Sequence, residues 1–186
     1  MKKLLILLCA AAMVCLGTGS ALALTDTATH DVTISVSEVA MLALDDTAAL
    51  TFTVGAPAVA GDAFVVTAPA DATKFLQYTS IVATGLVRTI TGQIDVALPT
   101  GLEISVAGTD AAGGCGTLGT AAATTALSTT AATVVSGIGS GYTGSTADTN
   151  GVQLDYSLTA IDCADAGSIV TGSSTVTVTY TLTEDA

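Results

Sequence analysis

Oxygen-bearing side chains are the most abundant groups that could do chemistry in this chain, and they cluster in three places. Asp148-Thr149-Asn150-Gly151, with Asp155 just beyond, makes Asp148, Asn150 and Asp155 the candidate metal set. Hard cations such as calcium gather clustered oxygens of this kind. Asp45-Asp46 and the pair Asp162 and Asp165 are similar. None of the three supplies the full ligand ladder of a calcium loop, and turns closed by Asp or Asn side chains explain each without a metal.

Nucleophilic and redox chemistry finds less material. His30 is the single histidine, so neither a Ser-His-Asp nor a Cys-His arrangement can be built. Paired carboxylates could hydrolyse a glycoside, but a sugar cleft also presents aromatic platforms, and the chain has no tryptophan. Gly139-Ser140-Gly141-Tyr142-Thr143-Gly144 matches G-x-G-x-x-G by letter. A dinucleotide site needs a helix directly after it, and Ser145 to Gly151 is turn chemistry instead. Leu98-Pro99-Thr100-Gly101 is shaped like a sortase signal without its spacer residue or hydrophobic tail, and reads as a hairpin turn. The expectation is a protein that is not an enzyme and needs no cofactor, with calcium at the loops as the exception to test.

Two of the four cysteines, Cys9 and Cys15, lie in an N-terminal apolar run. That run, Leu4 to Leu16, follows Met1-Lys2-Lys3 and precedes Ala21-Leu22-Ala23. A charged start, a short apolar stretch and small residues before a cleavage point describe a secretory signal, here residues 1–23. The run is shorter than the roughly 20 residues of a membrane span. Neither Cys9 nor Cys15 follows a small residue, as a lipidated cysteine would. Cys115 and Cys163 remain after cleavage, and an oxidising compartment favours their pairing. Such a bridge contributes roughly 4 kcal/mol in the chain-entropy picture.

Cleavage leaves a single domain, 24–186, with a polar leader over 24–30. Loss of Lys2 and Lys3 leaves two of the four cations against 16 carboxylates, a net charge of −14. A surface this acidic repels nucleic acid and anionic lipid. The exported chain is expected outside the cell or on its surface, with no span after signal removal.

The elements are extended. Val176, Val178, Tyr180 and Leu182 alternate with threonines from Ser173 to Thr183, the period-two pattern of a half-buried strand. Val32, Ile34 and Val36 do the same over Asp31 to Val39. Leu50 to Val54, Phe64 to Thr67, Thr73 to Ala83, Thr89 to Leu98, Leu102 to Val106 and Val152 to Leu158 follow. Thr73 to Ala83 has apolar residues in both rows, which leaves its buried face open. Gly92 sits inside a strand row, where glycine marks a bulge or a close approach. The Leu102 strand is the expected hairpin partner of the Thr89 strand. Ala107 to Asn150 thins into Ala, Gly, Thr and Ser, with one or two weak strands between Ala126 and Ile138. About eight or nine strands and no helix give an all-β antiparallel sandwich, Ig-like or pilin-like, with Greek-key-type connections. Scattered aromatics exclude the girdles of a membrane barrel.

Taken together, the signal peptide, the early VTISVSEV strand, the two mature cysteines and the terminal TVTVTYTLT strand resemble the small secreted bacterial fimbrial and spore-coat-U-like proteins, although Cys115 and Cys163 fall later than the cysteines of many pilins. The resemblance implies β-sandwich subunits that assemble by donating an N-terminal strand to a neighbour. Val32, Ile34 and Val36 are then the candidate donor strand, and the main partner is a second copy of the chain. The expected function is an extracellular structural subunit of a surface, filament or biofilm matrix. The alternative is a monomeric secreted binding module that holds carbohydrate or calcium at its end loops.

Overall fold

A computed structural model describes residues 26–160 and 166–185. The expected signal peptide, Cys163 and Asp162 with Asp165 lie outside the described residues. The chain divides after Ser35, and the body that begins at Val36 carries every described strand.

The fold is all-β and antiparallel. Its strands are β1 (Val39–Leu44), β2 (Thr53–Gly55), β3 (Val65–Thr67), β4 (Thr73–Ile81), β5 (Arg88–Ile94), β6 (Leu102–Ala112), β7 (Cys115–Ala121), β8 (Thr125–Leu127), β9 (Ala132–Tyr142), β10 (Gly151–Ala160) and β11 (Val178–Glu184). Nine of them form one branched sheet, and β2 with β3 forms a small second one. The large sheet has two wings. One runs β1-β4-β10-β6-β8, the other β11-β5-β9-β7. They join where Thr79 and Ser80 of β4 meet Tyr142 and Gly141 of β9, a pairing two residues long that acts as a corner.

The inward rows of both wings make one core. Leu76, Tyr78, Ile104, Val106, Leu127, Val152, Leu154 and Tyr156 come from the first wing. Ile90, Ile94, Val134, Val135 and Ile138 come from the second. Each such side chain contributes roughly 1.5–3 kcal/mol on burial. The face of β4 left open by its sequence is decided here: Lys74, Leu76, Tyr78 and Ser80 are buried, and the Phe75 row is half-buried.

Gly92 is a close approach. A Cβ there would meet Tyr180 at 3.0 Å, Val134 at 3.1 Å and Leu127 at 3.2 Å, so β5 and β8 of opposite wings come together over it. The β5–β9 register also shifts just before it, between Ile90 and Thr91.

Four expectations are corrected. The strand expected from Asp31 to Val39 begins only at Val39, and pairs along its whole length with β4. Strand β6 pairs with β10 and β8 rather than with β5. Pro99-Thr100-Gly101 still turns the chain, with the Leu102 amide donating to the Pro99 carbonyl at 3.2 Å. The turn carries the chain from one wing to the other, because the apolar rows of β5 and β6 face each other across the core. Val176, Val178, Tyr180 and Leu182 point toward the core as expected but are half-buried, since β11 is the outermost strand of its wing. Lastly, the Ala/Gly/Thr region holds β7, β8 and β9, more ladder than its few large side chains suggest.

The β7–β9 pairing explains that surplus. Gly116 lies opposite Gly141, and its φ of 93° is in the left-handed region. A Cβ at Gly116 would sit 2.2 Å from the Ser140 carbonyl oxygen. Glycine lets these two backbones close where any side chain would hold them apart.

Candidate functional site: an unpartnered segment and an open edge

The three candidate donor residues stand on a segment to which no strand is assigned. Val32 is 71%, Ile34 83% and Val36 73% exposed. In an extended chain their alternation would put all three on one side. Single exposed apolar residues are ordinary on protein surfaces, but three in register on one strand-like face are a ready partner for a sheet edge.

Among the described residues four strands of the large sheet have a single partner: β1, β7, β8 and β11. Strand β1 pairs with β4 on one side only, and β11 with β5 on one side only. Main-chain direction follows from the flanking hydrogen bonds. The Asp45 amide donates to Phe75 of β4 at 3.0 Å. Main-chain groups alternate sides along an antiparallel strand, so those of Ala40, Leu42 and Leu44 face away from β4. At the other edge the Asp95 amide donates to the Thr177 carbonyl at 3.1 Å, and the Asp185 amide to Val87 at 2.9 Å. The same alternation turns the groups of Val178, Tyr180 and Leu182 away from β5.

Charge gathers at one end of these edges. Arg88, on β5, is buried. Its Nη2 atom lies 3.3 Å from Glu184 at the end of β11 and 3.9 Å from Glu38 just before β1. Its Nε is buried with no hydrogen-bond partner. At the start of β11, Asp95 accepts from the Thr177 amide at 2.7 Å. That bond is the main reason its carboxyl is held below the usual range.

The candidate metal ligands carry hydrogen bonds within the fold. The Asp148 amide donates to Asp45 Oδ2 at 3.0 Å, and Asp148 itself takes a φ of 54° in its turn. Asp155 accepts from Thr73 at 2.9 Å and from Gln153 at 3.2 Å. Asn150 carries a main-chain bond within the same turn, its amide donating to Thr146 at 3.0 Å. Among the described residues no three acidic, histidine or cysteine side chains gather as a metal group.

Asp45 and Asp46 serve the β1–β4 junction. Asp45 Oδ1 accepts from the amides of Asp46 and Phe75, both at 2.8 Å. Asp46 pairs with the buried Lys74 ammonium. That hydrogen bond, helped by the Ala48 amide, lowers the Asp46 carboxyl below its usual range.

Cys115 is exposed at the head of β7, in register with Tyr142. Its expected partner, Cys163, lies outside the described residues. A shallow depression of about 520 Å³ lies along β1 and β4, lined by Met41, Ala43, Gln77, Thr79, Tyr142 and Ser145 among others. It is lined by no charged residue.

Sequence reading missed Arg88. The signal was present: a lone arginine entering an apolar strand needs carboxylates near it, and a chain with 16 of them and 4 cations supplies several. No protein family, characterised protein or solved structure matches this chain.

Proposed function

We propose that this protein is a non-enzymatic structural subunit of an extracellular assembly, joined to its neighbours through the segment that carries Val32, Ile34 and Val36. One observation carries the reading: three alternating apolar side chains, 71%, 83% and 73% exposed, directly ahead of the first strand. Their burial in a neighbour would contribute roughly 4.5–9 kcal/mol before association costs, at 1.5–3 kcal/mol each. Main-chain pairing with a free edge adds register. A chain that gives a segment at one place and takes one at another makes a head-to-tail contact, which elongates rather than closes. The carboxylate excess of the exported chain, 16 against the two cations left without Lys2 and Lys3, makes elongation favoured by salt or divalent cations.

The test is Ile34→Asp in the exported chain. Ile34 is exposed, so the substitution leaves thermal stability within about 0.5 kcal/mol. It places a carboxylate where an apolar contact is needed, and polymers should disappear in sedimentation and negative-stain microscopy. A wild-type chain that stays monomeric at high concentration, with and without calcium and across salt, overturns the proposal. The monomeric binding module then becomes the better reading.

A further inference from the structure

We propose that the outer face where β1, β4, β9 and β7 run side by side binds a neutral glycan chain, with Tyr142 as the platform on which a sugar ring stacks. The inference goes beyond the assembly reading above and does not depend on it, since a monomer and a subunit would carry the site alike.

The ladder register builds the site. Met41 lies opposite Thr79, Thr79 opposite Tyr142, and Tyr142 opposite Cys115. Residues directly opposite in antiparallel strands point to the same face. One row therefore crosses four strands, about 14 Å wide at the usual strand spacing. Tyr142 is 51% and Met41 65% exposed. The depression of about 520 Å³ reaches toward β1, and a second of about 360 Å³ reaches toward β7. Tyr142 and Thr79 line both, so the two adjoin as one trough. The Cys115 side chain hydrogen-bonds the Tyr142 phenol, raising it above its usual range, and holds the ring in place.

The chemistry of the walls selects the ligand. A tyrosine half out of water offers an apolar ring face and a polar tip. Neutral hydrogen-bonding groups stand around it. Gln77 donates through Nε2 to the Thr146 and Asn150 carbonyls at 3.1 and 3.3 Å, which fixes the amide and leaves Oε1 as an acceptor. Ser140 Oγ accepts from the Val82 amide at 3.1 Å and keeps its own proton to donate. Ser80, which lines the smaller depression, has a buried hydroxyl with no partner among the described residues. No described charged residue lines either depression, in a chain with 16 carboxylates. An ionic ligand finds no counter-charge there.

Two other occupants fit poorly. A shallow trough cannot enclose a small apolar molecule, which needs most of its surface buried. A peptide added as a strand needs free main-chain groups, and both Thr79 and Tyr142 have a partner strand on each side. A glycan lies across the side chains, matching hydroxyl to hydroxyl, and leaves its outer face in water.

The experiment uses the full exported chain carrying Ile34→Asp, so that assembly does not obscure binding. Neutral cello- and malto-oligosaccharides are the probes, with an oligogalacturonate as the anionic comparison. Titrations are followed by tyrosine fluorescence and by NMR chemical shifts. At least one neutral probe should bind, with shifts centred on Met41, Gln77, Thr79, Tyr142 and Ser145. Tyr142→Ala should weaken that binding by at least about tenfold, and Tyr142→Phe, which keeps the ring, should retain most of it. The shift map of the chain with Tyr142 intact keeps the test decisive if Tyr142→Ala disturbs β9. Shifts confined to other loops, or equal affinity in a folded Tyr142→Ala chain, overturn the site. Equal or tighter binding of the anionic probe overturns the ligand class. Binding of none of the three overturns the proposal, whether or not the wild-type chain polymerises.

Discussion

Raising the pH should unfold this protein through its interior tyrosines, and the two events should be inseparable. Tyr78 is buried against the core and donates its hydroxyl to the Leu118 carbonyl. Burial, with a smaller push from the Asp110 charge, lifts its pKa from 10.0 to about 12. Tyr156 and Tyr180 face each other between the wings, hydroxyl to hydroxyl at 2.6 Å. Burial raises both, against the Tyr180 hydrogen bond in Tyr156 and reinforced by the Tyr156 charge in Tyr180. All three folded values lie above the unfolded one near 10. Their stabilising contribution is therefore complete below pH 10 and is lost as the pH climbs through the folded values. For Tyr78 the shift to about 12 corresponds to about 2.7 kcal/mol at most. Solvent screening reduces that to about 1–2 kcal/mol. Against a total stability of roughly 5–15 kcal/mol, the loss at Tyr78, joined by losses of the same sign at Tyr156 and Tyr180, should carry the domain toward unfolding as the three ionise. The chain has four tyrosines and no tryptophan, so phenolate absorbance can be read without interference. Absorbance and far-UV circular dichroism should change together above about pH 11. Tyr142, half exposed, is the phenolate that water reaches directly. Three or four phenolates forming near pH 10 with the β signal intact would refute the packing of Tyr78, Tyr156 and Tyr180.

Three further outcomes are expected. Gly116→Ala places a methyl 2.2 Å from the Ser140 carbonyl at a φ of 93°, and should lower stability by more than about 2 kcal/mol in urea unfolding; an unchanged midpoint would show that β7 does not pair with β9 as described. At low pH the sign reverses from the tyrosine case: the Asp46 and Asp95 carboxyls are lowered in the fold, so their contribution is present above about pH 4 and lost as pH falls through the folded values. Thermal melts should show that decline, and Asp95→Asn should flatten it. Denatured, unreduced exported protein should show no free thiol if Cys115 and Cys163 are bridged, and two reactive thiols would exclude the bridge.

The β class was legible in the sequence because alternation is a local property. Val152, Leu154 and Tyr156, or Val178, Tyr180 and Leu182, declare a strand and its inward row without any knowledge of neighbours. Gly92 was legible as a bulge or a close approach for the same reason, since a missing side chain in an apolar row needs a cause. What a strand pairs with is not local. The β5–turn–β6 stretch looks like a hairpin, and only the need to set two apolar rows across one core sends β6 to β10. The depth of burial of the β11 row depended on its place at the rim, which no periodicity encodes. Strands β7 and β9 were faint because their pairing rests on Gly116 against Gly141, on absent side chains rather than present ones. The candidate donor residues could be picked from sequence as an alternating apolar triplet, but Val32, Ile34 and Val36 have the same signature as a paired strand. Only the tertiary structure shows that the described ladder starts at Val39, because β4 ends at Ile81, its partner.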